Sequence, residues 1–249
     1  MLLTSLFVIG VVWEVLSRSY GVPFLFPRPM DVVDNLVANT ANGRLIEATG
    51  ASLGRIFSGF LLGSLLGVLL GLLFGASKIF LGLTAPFVTF FRFVPPLAWF
   101  APALVWFGAG ETSKIVLVMY TSVFVVALST LEARTGIPQD MQRMASATGI
   151  SWWQRMMWVT LPGSVPYIIA GARIALGNAY MTIVSAEMLG AASGLGVTIN
   201  NGMTTTNIPS VFSAILVLGI LGLVSDRIFV ILMNTLGRKY QSSPGQAVA

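Results

Sequence analysis

The chain contains no cysteine and no histidine, and only 9% of its 249 residues are charged. Without cysteine there is no disulfide framework, no thiol nucleophile and no thiolate metal site; without histidine there is no imidazole base and no histidine-held zinc. A soluble domain carries about a quarter charged residues, because water-facing surface needs polar cover whatever the size of the core. The shortage excludes a soluble globular domain and makes lipid the solvent for most of the surface. In place of charge the chain has apolar content: 55% hydrophobic residues and a mean hydropathy of +0.85. Its net charge of +5 suits a membrane protein with basic residues on the cytoplasmic side. No basic run interleaved with aromatics is present, which argues against nucleic acid as a partner.

A helix needs about 20 apolar residues to cross the hydrocarbon core. Six segments qualify: Leu2–Leu16, Ile56–Phe74, Leu83–Phe107, Lys114–Leu131, Val165–Leu189 and Val211–Leu232. The first has neither the basic start nor the small-residue cleavage site of a signal peptide, so it is read as a retained span. The expected fold is all-α: a polytopic membrane bundle of about six transmembrane helices, one domain over residues 1–249. Its main polar loop, 134–162, falls between spans four and five. Six spans put both termini on the side of that loop, with Lys78, Arg134, Arg143, Arg155, Arg238 and Lys239. The opposite side holds Arg18, Arg28, Arg44, Arg55 and Lys114, while the loop over 189–209 has no Lys or Arg. This distribution favours cytoplasmic termini. After span one, Asp31 is read as the N-cap of an interfacial amphipathic helix.

Span two repeats a glycine every fourth residue, at Gly59, Gly63, Gly67, Gly71 and Gly75, and span five has Gly171, Ala175 and Ala179. Such stripes let helix backbones approach closely in lipid, either as static packing or as a sliding surface. Pro86, Pro95, Pro96 and Pro102 must kink or break span three. Irregular backbone at membrane depth is tolerated where it is buried in protein or lines a wet cavity.

Ionisable residues within spans are Glu14, Arg92, Arg173, Glu187, Asp226 and Arg227. In hydrocarbon such groups face a cavity or a partner. Arg173 and Glu187 lie about four turns apart on one helix and cannot pair with each other. Together with Asn178, Thr182 and Ser185 they make span five the most polar. Arg92, Pro95, Arg173, Asn178, Thr182 and Glu187 are therefore candidates for a translocation path, against the alternative that they satisfy hydrogen bonds between helices.

The segment Gln139–Pro162 reads as a short helix across the membrane surface. Ala145, Ala147 and Gly149 are small and leave room for a close partner, while Trp152, Trp153, Met156 and Trp158 anchor the interface. Leu161 and Pro162 are expected to end the segment and turn the chain back into the bilayer.

These features resemble the permease subunits of binding-protein-dependent ABC importers. In that family a cytoplasmic loop opens on Glu-Ala-Ala, continues through a glycine, and closes on Ile/Val-x-Leu-Pro. Here Ala145, Gly149, Val159, Leu161 and Pro162 match, and Arg143 and Met144 stand where the family has Glu and its first Ala. The resemblance extends through Trp13-Glu14, residues 25–29, Ser52 to Ile56, Gly59-Phe60, Val94 to Trp99, Trp106 to Gly108, Ala186 to Met188, Gly194 to Gly196 and the Asp226 region. Residues 95–99 and 106–111 are most similar to the subgroup importing nitrate, sulfonates, taurine, bicarbonate and pyrimidine precursors.

The resemblance implies a permease homodimer on two cytoplasmic ABC ATPase subunits, fed by an extracytoplasmic substrate-binding protein. It makes Ala145 to Arg155 the coupling helix, with Ala145, Ala147, Gly149, Trp152, Arg155, Leu161 and Pro162 as the ATPase-coupling residues. The chain has no Gly-x4-Gly-Lys-Ser/Thr motif, so it is read as non-catalytic and without a cofactor of its own, ATP and Mg being bound by the partner. The alternative is a self-sufficient secondary transporter or channel, for which Glu187 is the main coupling-ion candidate.

Overall fold

The computed structural model describes residues 2–21, 26–76, 78–136, 144 and 147–236. The chain forms α1 (Leu2–Tyr20), α2 (Pro29–Ala41), α3 (Arg44–Ala76), α4 (Lys78–Phe93), a 3-10 turn (Pro96–Trp99), α5 (Phe100–Phe107) and α6 (Glu111–Gly136). There follow α7 (Trp152–Arg155), a π-helical turn (Met156–Thr160), α8 (Leu161–Gly190), α9 (Leu195–Thr204) and α10 (Ile208–Leu236). No strand occurs among the described residues, in keeping with the expected all-α class.

Four helices are long and apolar enough to span a bilayer: α3, α6, α7 continued through α8, and α10. The pair α4–α5, bent by 93°, raises the count to five. The remaining expected span is α1, whose 19 residues extend roughly 28 Å at 1.5 Å each. One turn apart on α1, Glu14 and Arg18 form an ion pair of 2.6 Å, so the acid in this segment has its countercharge on the same helix.

Two compact units are present, Met1–Gly54 with Ile183–Leu221, and Arg55–Thr182 with Gly222–Ala249. In the first, Leu45, Ala48, Leu195, Ile199 and Ala214 form the core. Trp13 donates its indole N–H to the Pro27 carbonyl at 3.0 Å, and its ring packs on Phe26 and Phe212 at centroid distances of 6.3 and 5.8 Å. Asp31 is not the N-cap of α2. It lies at the third helical position and accepts from the backbone N–H of Arg28, the actual cap, at 3.2 Å. Pro29 explains the displacement: at the first helical position its missing N–H costs nothing, so the helix starts one turn before Asp31.

Helix α9 ends in a Schellman motif: Asn207 N–H bonds to Gly202 O at 2.8 Å, and Thr206 N–H to Met203 O at 3.3 Å. The left-handed position, normally glycine, is filled by Thr206 at φ 59°.

In the second unit the glycine stripe of α3 lies on α6. A Cβ built on Gly59, Gly63, Gly67 or Gly71 would stand 2.5–2.8 Å from the carbonyl oxygens of Ile115, Met119, Val123 and Ala127 respectively. The contacts advance four residues at a time on both helices, so α3 and α6 run parallel. Parallel spanning helices require the chain between them to cross back, and the apolar stretch between them is the bent pair α4–α5. Gly75 has nothing within 4 Å of its Cβ position among the described residues, so the close contact with α6 runs over four glycines. On α8, Gly171 packs against Ser129, and Ala175 and Ala179 are fully buried.

The break between α4 and α5 has a local cause. Pro95 and Pro96 cannot donate, leaving the Phe91 and Arg92 carbonyls without their helical partners. The Tyr120 hydroxyl, reaching across from α6, donates to the Phe91 carbonyl.

Candidate functional site

Within the loop preceding α8, Met144 and Ala147 are helical, and Thr148 N–H bonds to Met144 O at 3.0 Å. Gly149 then takes φ +62° and stops the helix. A Cβ there would meet nothing within 4 Å among the described residues, so it is the backbone conformation that favours glycine at this position. Ser151 restarts the helix through a capping box: its Oγ accepts from Gln154 N–H at 3.2 Å, and its own N–H donates to Gln154 Oε1 at 2.9 Å. The single surface helix expected over Gln139–Pro162 is thus split at Gly149. Ala145, Arg143 and residues 137–142 lie outside the described residues, as does the side chain of Trp152.

Leu161 and Pro162 do not turn the chain. Helix continues from Trp153 to Gly190 over 38 residues. Pro162 and Pro166 both lack an N–H, and an ordinary α-turn would drive the Pro162 ring into the carbonyl one turn back. The π turn over Met156–Thr160, with Leu161 N–H bonded to Met156 O, inserts one extra residue per turn and relieves that clash. Met144, Trp153, Met157 and Trp158 are exposed apolar groups here, beside an exposed Arg155.

The path candidates lie at the end of α4, at the 3-10 turn and on two faces of α8. At about 100° per residue, Asn178 and Thr182 share one face of α8, with Arg173 and Glu187 on the other. Arg173 forms a bidentate pair with Asp226 of α10 at 2.7 and 3.0 Å. Thr182 meets Thr121 of α6 at 3.0 Å, and Asn178 is half-buried. Arg92, exposed at the end of α4, lies over the Phe93 ring at 5.0 Å, and Pro95 caps the 3-10 turn.

Glu187, 1% exposed, accepts from Ser52 Oγ at 2.8 and 2.9 Å and from Gly196 N–H at 2.9 Å. Ser52 Oγ in turn accepts from Leu195 N–H at 2.9 Å. The carboxylate therefore sits on the N-terminal turn of α9, where the helix dipole favours negative charge, and it fastens α3, α8 and α9 together. Gly194, at φ +137°, has no space for a side chain against the Glu187 carboxylate. Removing the carboxylate leaves a buried amide without its acceptor and a void. Glu187→Ala is expected to lower stability by about 2–4 kcal/mol and Ser52→Ala by less, measured as thermal unfolding in detergent.

Three features were not anticipated. Arg55, counted among the charges on the side opposite the loop, is 3% exposed and pairs bidentately with Glu111. Lys114, also counted there, is 1% exposed and donates to the Ala109 and Gly110 carbonyls at 3.1 and 2.9 Å. The charge distribution across the membrane is therefore less informative than the sequence suggests. The third is an apolar cavity of about 320 Å³ at the α4–α5 break, walled by Phe91, Trp99, Trp106, Phe107, Tyr120 and Phe124. No cluster of acidic residues placed to hold a metal occurs among the described residues.

The sequence profile of a family described as the binding-protein-dependent transport system inner membrane component matches residues 48–238. The chain belongs to this family. It is a permease component of an ABC importer, a membrane subunit and not an enzyme. A probable ABC transporter permease of Brucella melitensis is 34% identical over 87% of each chain. The taurine transport permease TauC of Escherichia coli is 34% identical over 74% of this chain and 69% of its own. The nitrate import permease NrtB of Synechocystis is 31% identical over 88% and 82%. Among solved structures, a methionine ABC transporter described as inward facing superimposes with a TM-score of 0.69 at 21% identity, over 81% of this permease and 98% of that chain. The subgroup read from residues 95–99 and 106–111 agrees with the taurine, nitrate and sulfonate permeases among these relatives.

Proposed function

We propose that this permease, a single domain with its coupling loop at 134–162, moves a small solute across the membrane as a homodimer driven by a cytoplasmic ATPase. Residues 144–162 receive the motion of that ATPase. The observation that carries this reading is the left-handed turn at Gly149, flanked by exposed Met144, Trp153 and Trp158. Such an apolar patch beside a charged side chain fits a protein partner. Because α7 is continuous with α8, displacement of the loop would pass directly into a spanning helix. In this reading Ala145, Ala147, Gly149, Trp152 and Arg155 face the ATPase, and Leu161 and Pro162 join the loop to α8. Both termini are cytoplasmic, ATP and Mg are bound by the partner, and an external binding protein delivers the solute.

The named relatives support a small anion or related solute, such as taurine, nitrate or a sulfonate, with bicarbonate and pyrimidine precursors in the same subgroup. Asn178 and Thr182, on their shared face of α8, line the path with Arg92 and Pro95. Arg173 and Glu187 hold the helices that form it. Co-expression with the cognate ATPase tests the reading: the two should co-purify, and a cysteine at Ala147 should crosslink to the ATPase. Solute uptake by the permease alone, driven by an ion gradient without ATP, would overturn it.

A further inference from the structure

Helix α8 buries one face and leaves another open. Ala172, Ala175, Leu176 and Ala179 are buried. On the other side Ala170, Ile174, Gly177 and Met181 are exposed, Ile174 by 59% and Met181 by 75%. These four are spaced by four, three and four residues, the heptad spacing at which one helix forms a seam with another. Small residues alternate with large ones along it, and a Cβ built on Gly177 meets nothing within 4 Å among the described residues. Gly177 lies about 20 Å from the Gly190 end of the helix, well inside the span. A glycine at that depth lets a second backbone approach closely.

Lipid would suit the seam but not its edges. At about 100° per residue, Arg173 stands on one edge and Asn178 on the other. The Arg173 and Asp226 side chains, bonded to each other, are 36% and 32% exposed, so both signs of charge reach the surface at membrane depth. The Asn178 carboxamide makes no hydrogen bond among the described residues. Such groups are expensive in hydrocarbon and call for a partner. The two edges complement each other. With Ile174 at heptad position a, Arg173 is g and Asn178 is e, the positions that meet between two parallel helices. In that register the guanidinium of one copy donates to the Asn178 carbonyl of the other, and the Asn178 amide donates to the Asp226 carboxylate. A two-fold axis makes the contact twice. We propose that two copies of the permease meet along α8, with Ala170, Ile174, Gly177 and Met181 as the seam and Asn178 of each copy on the Arg173–Asp226 pair of the other. The inference rests on the homodimer proposed above and assigns its contact face; the path lined by Asn178 and Thr182 then borders the seam.

The chain has no cysteine, so single introduced cysteines report cleanly. With the full-length permease and its ATPase in native membranes, mild oxidation of Ile174→Cys or Met181→Cys should give a covalent permease dimer. Leu69→Cys, 50% exposed on α3, should not. Energy transfer between labelled permeases in liposomes then measures the contact itself. Asn178→Leu should weaken association about tenfold, and Gly177→Leu should abolish it and leave a folded monomer, because the space around Gly177 is open. Two permeases per purified complex without crosslinking at 174 or 181 would overturn this face and leave the homodimer standing, whereas one permease per complex would overturn both. Crosslinking of Leu69→Cys to the same extent, or association unchanged in Gly177→Leu, would also overturn the face. So would reaction of both seam cysteines with a membrane-impermeant thiol reagent in place of crosslinking, since water and not a second copy would then cover them.

Discussion

Gly63→Leu is expected to prevent the permease from folding, while Gly75→Leu, three turns further along the same helix, leaves it intact. Both glycines belong to one sequence stripe, yet their surroundings differ. A single carbon added at Gly63 stands 2.5 Å from the Met119 carbonyl oxygen and 2.7 Å from Ser122 Cβ. The oxygen is backbone and cannot swing aside, so α3 and α6 must separate. Separation also strips contact from Gly59, Gly67 and Gly71, because all four rest on the same face of α6. Overpacking by one carbon costs typically about 1–3 kcal/mol; leucine adds three more, and the loss should exceed about 3 kcal/mol. Gly63→Ala should therefore fold with a melting temperature lowered by several degrees. Size-exclusion profiles of the membrane extract and thermal melts of purified protein distinguish the three variants. Equal behaviour of Gly63→Leu and Gly75→Leu would remove the close α3–α6 contact from the account.

At Gly149 a conformational argument separates two substitutions that differ little in bulk. The left-handed backbone costs an ordinary residue about 1–2 kcal/mol and a β-branched one more, whereas asparagine visits it readily. Gly149→Val should open the turn and misdirect the segment before it, with ATP-driven transport falling about tenfold or more. Gly149→Asn should keep the turn and most of the transport. Both variants should insert and melt like the parent, since no atom of the described residues lies within 4 Å of the added carbon. Loss of transport in both would mean that glycine is needed for close approach of a partner instead.

Much of the fold was legible because lipid makes its demands locally. Apolar length gave the long helices α3, α6, α8 and α10, and the stacked prolines gave the break in span three. Four-residue glycine spacing gave the face on which α3 packs. Asp31 was misplaced by one turn because Pro29 competes as a start signal. Ser151-x-x-Gln154 is a capping box visible in the sequence, obscured by the assumption that the loop was one helix. The Leu161-Pro162 pair was read as a terminator because proline breaks α-helices, and a π turn is the way around that rule. Partners distant in sequence were not legible: Arg173 with Asp226, Arg55 with Glu111, and Ser52 with Glu187 are separated by 53, 56 and 135 positions. Nothing local marks such pairs. The aromatic cavity was hidden for the same reason, since its walls come from α4, the 3-10 turn, α5 and α6.

The central claim is that the hinge at Gly149 carries ATPase motion into α8. The most direct measurement is ATP-driven solute uptake per ATP hydrolysed, in liposomes holding the permease, its ATPase and its binding protein. The account predicts that Gly149→Val continues to hydrolyse ATP with little uptake, while Gly149→Asn keeps a ratio near that of the unaltered permease. An undiminished ratio in Gly149→Val would contradict it.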